Sequence, residues 1–343
     1  MRAFTCPRCR QLVPFEAVRC LACGTGLGFD PEAGEIVDTG GRALCANGLL
    51  AGCNWLLAPW EPAGGLCRSC RLTRARPHNA DLAAASPTGE AYRAAEAAKR
   101  RLVFQFLELG LPVPPHDGER GLAFDLLSSA AEPVVTGHAD GVVTIDLAEG
   151  DDAHREQMRR ELDEPYRTML GHLRHESGHY FWTVLVDADP AMGEPFRALF
   201  GNERSDYGEA LRRHYEQGPS ADWVSGYVSA YATAHPWEDW AETFAHYLHI
   251  RDTTQTAAAF GMLVTGPRLD PHMMAAPSLE PEDHFEDILD HWLPLVYALN
   301  AVNRSMGRDD LYPFVLSPAV VTKLAFVHRL VRSVRGSRPL PVP

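Results

Sequence analysis

His175-Glu176-Ser177-Gly178-His179 places two imidazoles four residues apart with a carboxylate between them. On a helix, positions four apart lie one above the other, so both rings reach one metal ion while Glu176 projects beside it toward a bound water. Two ligands do not complete a metal site, and a third must come from elsewhere in the chain. Gly and His three and six residues past His179 would continue one known pattern, but Trp182 and Leu185 stand there and exclude it. Asp206, in the loop Gly201-Asn202-Glu203-Arg204-Ser205-Asp206-Tyr207-Gly208, is one carboxylate candidate. The stretch from His235 to Ala245 offers two more. Pro236 suits the first turn of a helix, and Glu238 and Glu242 then share one face, so that one acid binds metal while the other orients a histidine.

A second chemistry lies at the other end of the chain. All eight cysteines fall within the first 70 residues, six of them as the pairs Cys6/Cys9, Cys20/Cys23 and Cys67/Cys70. Thiolates three positions apart on a tight turn take adjacent corners of a tetrahedron, and soft sulfur in that geometry selects zinc. Cys6, Cys9, Cys20 and Cys23 read as one compact ribbon site, and Cys45, Cys53, Cys67 and Cys70 as a second. A disulfide framework is the rival, but the start of the chain lacks a secretory signal. Residues 1–80 carry nine Arg and six acids, formally +3. Two zinc ions, each held by four thiolates, add −2 apiece and cancel that excess. The run Arg68, Arg71, Arg74, Arg76 reads as a solvated face, and the module as a structural element or a surface that docks a protein partner.

The whole chain, 343 residues with 32 Lys+Arg against 45 Asp+Glu, is acidic at −13. Such a chain repels nucleic-acid phosphates and anionic membranes. No apolar run is long enough to span a bilayer, so the expected location is the cytoplasm. The surplus of −16 beyond residue 80 hints at basic or unfolded polypeptide as partner.

The elements that position these residues follow from punctuation and periodicity. A stretch rich in Pro, Asn, Ala and Ser over 76–87 reads as a linker, dividing the chain into a 1–80 zinc-ribbon module and an 81–343 domain. Ser86-Pro87 opens a helix whose apolar positions (Ala91, Ala94, Ala95, Ala98, Leu102, Phe106, Leu109) recur at helical spacing up to Gly110. Residues 134–147 are β-branched with Gly at the bend and predict a hairpin or edge strand. Helical patterns follow over 165–186, 208–217, 236–251, 282–303 and 317–334. One small strand region followed by long helices is an α+β, mainly helical arrangement.

Tyr231, Glu238, Ala241, Glu242 and Phe244, downstream of the His-Glu-x-x-His motif, resemble the active-site pattern of lethal-factor-type gluzincin metalloproteases. With the paired ribbons, Cys45-Ala46-Asn47-Gly48, Cys67-Arg68-Ser69-Cys70-Arg71 and Trp237-Glu238-Asp239-Trp240-Ala241-Glu242, nearly the whole chain is similar to a family of bacterial zinc-ribbon metallopeptidases. The departure is Asp239-Trp240, where the toxin-type pattern has two aromatics. The resemblance implies a zincin-like fold and a zinc-dependent peptidase acting on polypeptide. It favours Glu238 as third ligand beside His175 and His179, with one catalytic and two structural zinc ions. Glu176 is then the general acid/base and Glu242 orients a histidine ligand, although the two downstream acids can exchange roles. Tyr231 becomes the oxyanion donor, with core packing beside Tyr227 as its alternative and Tyr312 as a substitute. The competing function is a non-catalytic zinc-ribbon adaptor, a protein-binding scaffold with a vestigial zincin domain. An intact Glu176 argues against it, since a binding scaffold has no need of a general base.

Overall fold

The structure, a computed structural model, describes residues 2–83, 86–130, 132–150, 168–262, 264 and 284–336. Expected helical residues 165–167 and 282–283 lie outside this set. Helices account for about half of the described residues, and the class is mixed α/β. Packing divides the chain into two compact units, one of Arg2–Glu108 and Pro112–Leu173, the other chiefly Arg174–Pro343.

The first unit begins with two hairpins, β1 (Phe4–Thr5) with β2 (Leu12–Val13) and β3 (Leu27–Asp30) with β4 (Glu35–Asp38). The short helix α1 (Gly48–Ala51) follows. Strand β5 (Thr73–Ala75), immediately after the last cysteine, runs parallel to β6 (Ala123–Leu127). Strand β8 (Val142–Asp146) is parallel to β6, and β7 (Gly137–Ala139) closes the edge antiparallel to β8, giving the order β5-β6-β8-β7. The hairpin read from residues 134–147 is therefore present, with β7 at the sheet edge. Its turn is Asp140-Gly141, both at positive φ (49° and 81°), the backbone that a tight two-residue connection requires. Sequence patterning passed over β5 and β6: three residues are too few to show a period, and β6 is buried on both faces, so it does not alternate.

Helix α2 (Pro87–Leu109) begins where Ser86 Oγ accepts from the Gly89 amide at 3.0 Å and is followed by Gly110 at φ 71°. Its Phe104 enters an aromatic cluster with Phe4, Phe15 and Phe29 from the hairpins, at centroid separations of 5.2–6.0 Å. The ribbon segment and α2 thus share one core within this unit. The four arginines of the 68–76 run are occupied locally: Arg68 faces Glu32, Arg71 pairs with Glu61, Arg74 with Asp125, and Arg76 lies over the Tyr92 ring.

The second unit is helical among its described residues. Helix α3 (Met169–Trp182), of which this unit takes the part from Arg174 on, passes into a π-helical turn over Thr183–Asp187 and is followed by α4 (Gly193–Phe200), α5 (Tyr207–Gln217), α6 (Pro236–Ala259), α7 (Phe285–Ser305) and α8 (Pro318–Gly336). The α4 helix is one that the sequence reading did not include. Helix α6 is central, packed by α4, α7 and α8. Its Trp240 and Phe244 are fully buried against Phe181, Phe196, Phe200 and Phe326. Such burial contributes roughly 1.5–3 kcal/mol per large apolar side chain, so this core holds α6 in place whatever its polar face does. Among the described residues, no helix is long and apolar enough to cross a membrane.

Candidate metal centre

Three clusters of metal-ligating side chains stand out among the described residues. Two are the cysteine sets. Cys6 and Cys23 place their sulfurs 3.7 Å apart, Cys9 and Cys20 3.5 Å, and Cys53 and Cys67 3.7 Å. Zinc–sulfur bonds of about 2.3 Å at tetrahedral angles put sulfurs about 3.8 Å apart, so both sets suit zinc. None of the eight cysteines is joined in a disulfide. The second set is buried, and its sulfurs accept from the Cys67 and Asn47 amides and the Asn47 side chain. Next to it, Lys99 and Arg100 are buried on α2 around Glu96, whose carboxylate lies 3.8 Å from Cys70 Sγ. Two buried cations beside one carboxylate leave net positive charge, which offsets the −2 of a zinc tetrathiolate.

The third cluster is His175, His179 and Glu238, whose ligand atoms all lie within 4.8 Å of one another. Both histidines come from α3 and the glutamate from α6. His175 Nε2 is 3.1 Å from Glu238 Oε2, and His179 Nε2 is 3.6 Å from Oε1. Bonds of about 2.0 Å at tetrahedral angles separate ligands by about 3.3 Å, so one zinc ion fits with little movement. On its other side, His175 Nδ1 meets Glu242 Oε1 at 2.6 Å. That contact places the proton on Nδ1 and leaves Nε2 available to a metal. Burial would push His175 down, yet hydrogen bonds to Glu238 and Glu242 hold it well above the usual histidine value.

The crossing of α3 and α6 depends on Gly178 and Ala241. A Cβ on Gly178 would lie 2.9 Å from Ala241 Cα, so only glycine permits this approach. Trp240 Nε1 donates to Gly178 O at 2.8 Å and ties the two helices at the same point. Asp239 accepts from Lys323 Nζ at 2.6 Å, and Lys323 also donates to Gly226 O at 2.7 Å, anchoring the start of α6 to α8. Burial raises the Asp239 carboxyl to about 7 despite that lysine. The Asp239-Trp240 pair thus has its own work: one residue anchors α6 to α8, the other fastens it to α3.

Glu176 is buried. Burial, followed by the negative charge of Glu238, raises the phenols of Tyr207 and Tyr231, and the Glu176 charge adds to both, so all four groups share one electrostatic environment. Both tyrosines stay protonated donors at neutral pH. The Tyr231 ring lies 6.0 Å from the His175 ring, centroid to centroid. Tyr207 donates to Glu238 Oε1 at 2.6 Å, a site residue that the sequence pattern alone does not single out. The signal was Asp206: its side chain accepts from the Glu209 amide at 2.7 Å and caps α5, which places Tyr207 at the first helical position. Asp206 is therefore a helix cap outside the metal-binding cluster. Tyr312 pairs with His246 Nδ1 at 2.7 Å, with its ring against Trp292 and Phe314.

The family model described as "Putative zinc-binding metallo-peptidase" matches residues 88–330, and that of a zinc-ribbon domain matches residues 3–81. Uncharacterized proteins of Mycobacterium tuberculosis (Rv2568c) and Mycobacterium bovis (Mb2598c) are each 50% identical over 339 residues, covering 97% of this chain and 96% of the relative. No solved structure matches the chain significantly. The extent of these matches, together with the cysteine clusters and their spacing, establishes that the chain belongs to this zinc-binding metallopeptidase family and carries a zinc-ribbon domain ahead of it.

Proposed function

We propose that the protein is a zinc-dependent peptidase of zincin-like, gluzincin type, hydrolysing peptide bonds in polypeptide substrates. The observation that carries this reading is the convergence of His175, His179 and Glu238 within 4.8 Å, with Glu242 on the far nitrogen of His175. These three residues would hold the ion, and the two cysteine sets would hold structural zinc. A zinc ion there would supply Lewis-acid activation of the scissile carbonyl and of a water, whose pKa such an ion lowers toward about 7.

Glu176 takes the proton from the attacking water and returns it to the leaving amine as the peptide bond breaks. Tyr231 donates a hydrogen bond to the oxygen that becomes negative, a contribution on the order of 10²- to 10³-fold in rate for comparable donors. Glu242 fixes the His175 ring and tautomer.

Metal analysis of the purified chain tests the reading, with three zinc ions expected and two in His175→Ala. Glu176→Gln should keep all three and lose cleavage of an unfolded-protein or peptide library. Two zinc ions in the wild type, or undiminished turnover in Glu176→Gln, would overturn it.

A further inference from the structure

We infer that Tyr207 is a positioning residue of this centre: its hydroxyl occupies one oxygen of Glu238, so the carboxylate presents a single oxygen to zinc. The inference rests on reading His175, His179 and Glu238 as a zinc site. It concerns a residue outside the ligand motif, carried on a different helix from any ligand.

The geometry is specific. The hydroxyl lies 2.6 Å from Glu238 Oε1, the length of a charge-assisted O–H···O⁻ bond. The phenol reaches that point from a backbone fixed on both sides. Asp206 caps α5 beneath it. His235 packs edge-on against the Tyr207 ring at 5.2 Å, and Trp237 lies at 6.0 Å. His235 is itself held: Nδ1 accepts from the Trp237 amide at 3.1 Å, so Nε2 carries the proton and donates to Ser205 O at 3.2 Å. The residues just before Tyr207 and the first turn of α6 are thereby tied together around the Glu238 carboxylate.

A glutamate with both oxygens free can chelate a metal through the pair, which raises the coordination number and takes the corner that water needs. With Oε1 engaged, Glu238 stays a one-atom ligand, and three protein ligands leave the fourth position open. The ion pair alone does not set this preference, because both carboxylate oxygens face imidazoles: Oε2 faces His175 and Oε1 faces His179. Tyr207 breaks that near-symmetry in favour of Oε2.

Tyr207→Phe removes the hydroxyl and keeps the ring. The full-length, zinc-loaded protein is titrated with a chromogenic chelator, and the active-site ion is identified as the one missing from His175→Ala. That ion should bind about 10- to 100-fold more weakly in Tyr207→Phe, with the two cysteine-held ions unchanged. Tyr207→Leu, which lacks ring and hydroxyl, should lose at least as much. An active-site affinity within twofold of wild type in Tyr207→Phe overturns the inference. A lowered urea midpoint with unchanged affinity also overturns it, since that is what a merely structural tyrosine would give. A wild type holding only two zinc ions defeats the zinc-site reading itself, and this inference with it. Three ions in the wild type and an unaffected Tyr207→Phe defeat this inference alone.

Discussion

Gly178→Ala is a one-carbon change at a position that touches no substrate or metal in the proposed mechanism, yet it should disable the centre. The added Cβ would sit 2.9 Å from Ala241 Cα, 3.2 Å from Ala241 O and 3.4 Å from Ala241 Cβ. Carbon atoms settle at about 3.5–4.0 Å, so α3 and α6 must part by about 0.6 Å or more where they cross. His175 and His179 lie three residues before and one after Gly178, and Glu238 and Glu242 stand in the same relation to Ala241. The separation is therefore delivered to both halves of the centre at once. Metal–ligand bonds tolerate about 0.2 Å, and misplacement of about 1 Å can cost on the order of 100-fold in rate. Stability should change less. Overpacking costs about 1–3 kcal/mol, but alanine is favoured over glycine inside a helix by about 1 kcal/mol, leaving a net loss of about 0–2 kcal/mol. The variant should remain folded by circular dichroism while chelator competition shows its active-site zinc held at least about tenfold more weakly, with kcat/KM reduced about 10- to 100-fold. A folded Gly178→Ala protein with zinc affinity within twofold of wild type would refute the argument that this close approach positions the ligands.

Two further outcomes follow from neighbouring geometry. Glu238→Ala should release the active-site zinc more readily than Glu242→Ala, because the first removes a ligand and the second only the group that orients His175; the reverse order in a chelator assay would exchange their roles. His249 supplies a pH signature of folding: burial and then the neighbouring Arg174 lower its pKa to about 3. Below about pH 6.5 the unfolded chain gains a proton there that the folded chain refuses, so stability falls with falling pH by up to about 1.4 kcal/mol per unit. From pH 7 to pH 5, wild type should lose about 2 kcal/mol more than His249→Gln in urea titrations, and equal losses would reject a neutral imidazole in the folded chain.

The ribbons were legible because their information is local. Cys6/Cys9, Cys20/Cys23 and Cys67/Cys70 declare themselves by spacing on tight turns, and the structure brings both sets of four sulfurs together. The helices were legible wherever a long periodic face met a punctuating residue, as with Ser86 and Gly110 around α2. The short β5 and the doubly buried β6 lacked a period to read. The unit that joins ribbon and α2 had no sequence signal either, because it arises from Phe4, Phe15, Phe29 and Phe104 meeting across long separations.

At the proposed centre the division is sharper. Covalent order along one helix puts His175, Glu176 and His179 on one face, so the motif alone specifies two imidazoles and an acid. Which distant acid joins them is decided by packing. Asp206 and Glu238 were both carboxylates in plausible positions; one caps α5 and the other meets the histidines because Gly178 lets α3 and α6 approach and Lys323 anchors the start of α6. Tyr207 belongs wholly to that second kind of information, since its contact with Glu238 spans 31 residues and exists only after α5 has docked. Residue type and spacing determine what chemistry is available within a turn of helix, where the backbone sets distances. Between segments, distances are set by which surfaces pack, and that is a property of the folded chain.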